Sequence, residues 1–298
     1  MTLRADFPSL PESTTELRFL KDLPEYEKEK PYHISGPLHE RYRGFRTNIH
    51  YESVPQVPIF NLRGHQHKLS IERHGFEMFQ VPKDIAALDV KGNEAERDRY
   101  AEAMVTAVKQ RLKATFALCY NFKFRSSVLG PETPHHDVSV GSSERPDAPA
   151  EAAHIDHTPE SAMRRARRHL TAEEANIYLS GAWRVQIVNV WKPLGPVHNH
   201  DLLYCDFSTV RPSDLVAVDR ASSEYVGEVY LLKPGRHYGW YWIDHQTAEE
   251  ASVFISYDSH PGCGAPYCPH TAGRRPSANG DAVPRESIEL RLLVFSKA

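Results

Sequence analysis

Two stretches of this chain carry residue types that could hold and use a metal ion. One is His154-Ile155-Asp156; the other is His270, followed by Arg285-Glu286-Ser287 at the head of an apolar run. Residues at i and i+2 on extended backbone point to the same side, so His154 and Asp156 can grip one ion together. A distant histidine completes one face of an octahedron and leaves three positions open, the arrangement by which two-His-one-carboxylate sites bind ferrous iron and oxygen. A neighbouring arginine would receive the far carboxylate of an anionic co-substrate.

The 17 histidines supply decoys as well as ligands, since roughly one His-x-Asp arises by chance in such a chain. A second pair, in His135-His136-Asp137, lies in a Pro-rich stretch where nothing fixes the backbone, and an exacting site needs rigid support. For the distal ligand the candidates are His198, His200, His237, His245, His260 and His270. His270 is preferred because Arg285 and Ser287 follow it after a turn-rich segment and head the run Ile288 to Phe295, which reads as the last core strand. An arginine there needs a reason; the bland ones are a surface position or a structural ion pair. His260, Cys263, Cys268 and His270 also offer four N/S ligands that could close around Zn. A Zn-stabilised binding module is therefore the rival to an enzyme, with a non-catalytic partner subunit of an oxygenase as another.

These residues need a frame. Residues 1–28 are polar and Pro-containing and read as an arm draped over the domain that follows, 29–298. Short apolar runs from Val54 to Val81 read as strands. Tyr100, Met104, Val105, Val108 and Leu112 fall on one helical stripe between Glu96 and Leu112. Lys113 to Ser127 reads as a strand, and 128–153, with four prolines, as a loop. Thr171 and Glu174 spell a capping box for a helix running to about Tyr178. Then come strands: Trp183 to Trp191, Leu202 to Phe207, Tyr225 to Leu232, Tyr238 to Ile243, Ser252 to Tyr257 and Ile288 to Phe295. The pattern predicts a mainly β fold with flanking helices, a sandwich or jelly roll. Asn189 and Trp191 share one face of their strand while Arg184 and Gln186 share the other, so polar groups enter an apolar strand to touch co-substrate or to satisfy backbone. Trp240-Tyr241-Trp242 reads as core or as the wall of an apolar pocket.

Composition narrows the function classes. Lys plus Arg number 36 against 39 Asp plus Glu, so nothing in the balance calls for nucleic acid or an anionic membrane. The run Arg164, Arg165, Arg167, Arg168 reads as one solvated helical face. Four scattered cysteines (Cys119, Cys205, Cys263, Cys268) do not make a disulfide framework. No signal-peptide core or transmembrane-length run is present, so the expected setting is cytoplasmic.

Several words stand in a recurring order: Glu29-Lys30-Pro31-Tyr32, Arg63-Gly64 with Gly75-Phe76, His154-x-Asp156-x-Thr158-Pro159, Asn189-Val190-Trp191-Lys192-Pro193, Cys205-Asp206, Tyr257-Asp258-Ser259, Pro269-His270-Thr271-Ala272 and Arg285-Glu286-Ser287-Ile288-Glu289. In this the chain resembles the fungal hydroxylase/desaturase family of non-haem iron oxygenases of secondary metabolism. The resemblance implies a double-stranded β-helix and dependence on Fe(II), 2-oxoglutarate and molecular oxygen. It implies His154, Asp156 and His270 as metal ligands and catalytic centre, and Arg285 with Ser287 as the 2-oxoglutarate site. The implied partner is a small apolar substrate, polycyclic or terpenoid-like, to be hydroxylated, desaturated or converted to an endoperoxide; a homodimer or heterodimer is left open. Two words depart from the family pattern. Lys192 stands where Trp-Arg-Pro is usual, which would lose bidentate geometry if that position bound an anion, and the segment from Asn121 to Arg125 lacks the usual Asp-His-Thr.

Overall fold

The computed structural model describes residues 3–7, 9–129, 143–198, 200–260, 262, 264–274 and 283–297. In chain order the strands are β1 (Glu12–Leu20), β2 (Tyr32–Ile34), β3 (Tyr51–Asn61), β4 (Phe76–Gln80), β5 (Phe116–Ser126), β6 (Ser143–Asp147), β7 (His154–Ile155), β8 (Trp183–Pro193), β9 (His200–Cys205), β10 (Leu215–Ala221), β11 (Val226–Leu232), β12 (Trp240–Trp242), β13 (Glu250–Asp258), β14 (His270–Arg274) and β15 (Glu286–Lys297). They form two sheets: β1-β3-β12-β9-β14-β7-β11-β10-β2, and β4-β13-β8-β15-β5-β6. A further pairing of β1 with β14 closes part of the larger sheet on itself. The fold is a mainly β jelly roll with flanking helices.

The middle of the smaller sheet explains how an apolar strand can carry polar groups. In β15 the side chains of Ile288, Leu290, Leu292 and Val294 join Val188 and Val190 of β8 in one buried cluster. Tyr100, Met104 and Val108, the inward stripe of the helix Glu94–Arg111, cover that cluster. Asn93 starts the helix by accepting from the Glu96 amide at 3.2 Å. Because strand side chains alternate, Ser287, Glu289 and Arg291 must face the other way, and all three are shielded or nearly so from solvent.

The stretch before residue 29, expected to drape as an arm, instead supplies β1. That strand pairs antiparallel with β3 and buries Leu17 and Phe19 on one face while Glu12, Thr14, Glu16 and Arg18 stay on the other. Half-burial leaves a polar sequence able to be a core strand. The expected loop 128–153 is likewise interrupted: β6 runs parallel to β5, and Ala152 bridges to Arg18 before β7 begins. His135, His136 and Asp137 lie outside the described residues. β2 and β10, which pair in parallel, were not legible in the sequence, and the helix Pro159–His169 begins three residues after Asp156, capped by Thr158. Trp240 and Tyr241 are buried in two separate core clusters, so the aromatic triplet builds core.

β5 and β6 are joined by a buried ion pair between Lys123 and Asp147, exposed by only 2% and 1%. Burial, and Arg125 nearby, draw the Lys123 ammonium down to a pKa of about 8 against the support of Asp147. Removing one partner of such a pair leaves the other's buried charge under-compensated, at a cost of up to about 3–5 kcal/mol. Lys123→Met should therefore destabilise the fold by that order in urea denaturation; a change below about 1 kcal/mol would show the pair to be dispensable.

Candidate active site

The two-residue strand β7 lies between β14 and β11, and its register sets His154 directly opposite His270. Their rings stand 4.2 Å apart, centroid to centroid. Each imidazole is tied by Nδ1 to a backbone carbonyl: His154 to Ala152 at 2.8 Å and His270 to Cys268 at 3.1 Å. A carbonyl only accepts, so Nδ1 carries the proton and the Nε2 lone pair is left for a ligand. Asp156 Oδ1 lies 3.4 Å from His154 Nε2. One ligand atom from each of the three residues falls within 4.8 Å of the others.

The second oxygen of Asp156 is already occupied. Oδ2 accepts from Asn189 Nδ2 at 2.6 Å and lies 3.5 Å from both an Arg291 Nη2 and the Ser256 hydroxyl. Oδ1 alone is turned to the histidines, which suits monodentate ligation. Burial works against ionisation of Asp156, but Arg291, His154 and His270 hold its carboxyl well below the usual range. Burial, with His154 beside it, draws His270 down to about 4, so its imidazole is neutral at physiological pH. Asn189→Ala should leave the fold intact and weaken Fe(II) binding about 10- to 100-fold, as loss of an orienting partner does elsewhere; unchanged iron affinity by chelator competition would remove Asn189 from this role.

Arg285 immediately precedes β15, and its side chain is buried. Among the described residues its side chain makes a single hydrogen bond, a long one, Nη1 donating to the His200 carbonyl at 3.4 Å. Among the described residues its Nε and the Ser287 hydroxyl are buried without hydrogen-bond partners, and no carboxylate lies within ion-pair distance. Burial and the Arg125 charge draw this guanidinium down to about 10. The guanidinium also sits 5.5 Å from the centre of the Trp191 ring. A buried cation with unmade bonds, beside an unpaired hydroxyl, is a ready receptor for a carboxylate.

A family model described as an oxidoreductase/YMDC permease-like domain matches residues 17–295. The chain is 28% identical to the hydroxylase/desaturase efuI of Hormonema carpetanum, over 84% of this chain and 86% of that protein. It is 27% identical to the Fe(II)/2-oxoglutarate-dependent dioxygenase nvfI of Aspergillus novofumigatus, over 84% and 87% respectively. The chain belongs to the fungal hydroxylase/desaturase family of non-haem Fe(II)/2-oxoglutarate oxygenases. The solved iron and alpha-ketoglutarate-dependent endoperoxidase NvfI superposes with a TM-score of 0.78 at 24% identity, covering 96% of this chain and 99% of that one, so the two share a fold. Among the described residues no helix is long and apolar enough to cross a membrane.

Against the hydroxylase/desaturase pattern, the two departures take on structural meaning. Lys192 lies on the face of β8 opposite Asn189 and Trp191; its ammonium donates to the Ala86 carbonyl at 3.1 Å and lies 5.3 Å from the Tyr100 ring centre. It packs on the outer helix side and does not face Arg285, so the lysine leaves the Arg285 surroundings untouched. The segment Asn121 to Arg125 supplies Lys123 to the Asp147 pair and Arg125 to the Ala148 carbonyl at 2.8 Å. The Zn alternative loses its key ligand, because His270 faces His154 while the Cys268 thiol is buried and its pKa raised by that burial. Cys263 lies outside the described residues.

Sequence reasoning left Asn189 between a co-substrate contact and backbone satisfaction, named Glu289 only within a family word, and overlooked Arg291. Arg291 bridges the Asp156 carboxylate and Glu289, which it meets at 2.9 Å. The signal was present: Ser287, Glu289 and Arg291 alternate with Ile288, Leu290 and Leu292. Polar residues at period 2 in a strand buried on both faces mark an interior polar wall.

Proposed function

We propose that His154, Asp156 and His270 hold Fe(II), that Arg285 and Ser287 receive the C5 carboxylate of 2-oxoglutarate, and that the protein oxidises an unactivated C–H bond of a small secondary metabolite. The observation that carries this is the convergence of two Nε2 lone pairs and one carboxylate oxygen, with every other polar atom of those three side chains already engaged. The donor set is that of a two-His-one-carboxylate iron site. When bound, iron with 2-oxoglutarate and oxygen supplies an oxidant able to take hydrogen from carbon, the 2-oxo acid ending as succinate and carbon dioxide.

The chain's own contribution is positioning. Backbone carbonyls of Ala152 and Cys268 hold both imidazoles in one tautomer. Asn189, Ser256 and Arg291 hold one Asp156 oxygen, so the other stays free. Glu289 pairs with Arg291 at 2.9 Å and offsets its charge. Relatives named hydroxylase/desaturase and endoperoxidase support three outcomes for the substrate: an alcohol, an alkene or a peroxide. Which one follows depends on how the substrate radical is steered.

The test is conversion of 2-oxoglutarate to succinate by the purified protein with Fe(II) and air, in the absence of any substrate. Slow, iron-dependent succinate formation is expected. No succinate from protein that binds iron would refute the proposal.

A further inference from the structure

Asp156 is followed by a helix carrying a second polar cluster that the iron and co-substrate sites do not use. Thr158 caps the helix Pro159–His169, and Arg165 stands six residues into it, about 9 Å of rise from its start. The expected solvated face holds for Arg164, Arg167 and Arg168, but Arg165 is turned inward. Its guanidinium sits 4.1 Å from the centre of the Tyr225 ring and 5.9 Å from that of Tyr120. No carboxylate among the described residues pairs with it, whereas Arg164 has Glu160 and Arg291 has Asp156 and Glu289.

The surroundings are short of acceptors. Arg165 Nε, His169 Nε2, His157 Nδ1 and the Tyr225 hydroxyl are all shielded from solvent without a hydrogen-bond partner among the described residues. Tyr120 links them: its ring packs 4.7 Å from His169, and its hydroxyl lies 3.3 Å from Nε2 of His157, the residue next to Asp156. Burial, with the Arg165 and Arg168 charges beside it, draws His169 down to about 4, so the cluster carries one inward-facing positive charge. Buried donors left unmade are costly unless a ligand completes them.

We propose that Arg165, Tyr225 and His169 bind a carboxylate carried by the substrate, which is then an acid with an apolar body rather than a wholly apolar molecule. One guanidinium fork matches the two oxygens of a monoanion, and a phenol and a neutral imidazole add donors without adding charge. Arg168, exposed and 5.2 Å from the Tyr225 ring centre, extends the positive field outward to draw the acid in. Anchored there, the substrate presents another part of itself toward Asp156. This assignment rests on the oxygenase reading for the fate of the bound acid, and its binding test does not depend on turnover.

The experiment uses protein loaded with Fe(II) and saturating 2-oxoglutarate, without oxygen, so that the Arg285 site is filled. Binding of 2-naphthoate is compared with that of its neutral isostere 2-naphthamide by calorimetry. The carboxylate should bind about tenfold more tightly. That preference should vanish in Arg165→Met and return in part in Arg165→Lys. Tyr225→Phe keeps the ring under Arg165 and should cost naphthoate a few-fold in affinity with no change in melting temperature. Equal affinities in the native protein, or a preference that survives Arg165→Met, would overturn the site. A native protein that selects naphthoate yet forms no succinate would sustain the carboxylate site and sink the oxygenase reading.

Discussion

Asp156→Ala abolishes iron-dependent succinate formation: this is the largest effect expected of any single substitution here. Asp156 is the one anionic member of the cluster, and without it two neutral imidazoles face a divalent ion alone. The change also removes the acceptor that Asn189, Ser256 and Arg291 share. Arg291 keeps Glu289 at 2.9 Å, so the stability loss should stay below the roughly 3–5 kcal/mol of a fully stranded buried charge. Iron content, succinate and melting temperature measured together separate the outcomes. A folded, iron-free, inactive protein fits; an active one would mean the wrong carboxylate was chosen. Asp137→Ala, which removes the competing His-x-Asp pair, should retain turnover.

Arg285→Ala should weaken 2-oxoglutarate binding about 10- to 100-fold, because a hydrogen bond to a charged group contributes roughly 1.5–3 kcal/mol. A second measurement distinguishes a binding arginine from a structural one. Since Arg285 has no ion-pair partner among the described residues and an unmade Nε bond, the desolvation of its charge outweighs the support of Asp201 and Glu289. An apolar replacement such as Arg285→Met should therefore melt no lower than the native protein in the absence of 2-oxoglutarate, replacements of buried charge by apolar groups being often neutral or stabilising. Added 2-oxoglutarate should then raise the melting temperature of the native protein far more than that of the variant. A variant that melts much lower on its own, with co-substrate affinity intact, would make Arg285 a structural residue.

Both expectations lean on β15, where local pattern and tertiary context met. Alternation of Ile288, Leu290 and Leu292 with Ser287, Glu289 and Arg291 was visible in the chain. Which partner each polar residue meets was not, because Arg291 reaches Asp156 only through the pairing of β15 with β8, where Arg291 stands opposite Asn189. The same limit applied to the basic run on the helix Pro159–His169: the sequence shows four arginines, while the fold decides that one of them turns inward against Tyr225.

The sequence by itself determined what depends on neighbours along the chain. It placed the helix Glu94–Arg111 through its apolar stripe, the Ala172–Tyr178 helix through its capping box, most strands after residue 180, and the i, i+2 geometry of His154 and Asp156. The tertiary structure decided what depends on strand register. It set His270, of six candidate histidines, opposite His154; it drew residues 12–20 into the larger sheet; and it turned Lys192 to the outer face. The reason is physical: side-chain direction repeats every two residues within a strand, but the choice of partner strand is made by burial across the whole core, and no window of sequence contains it.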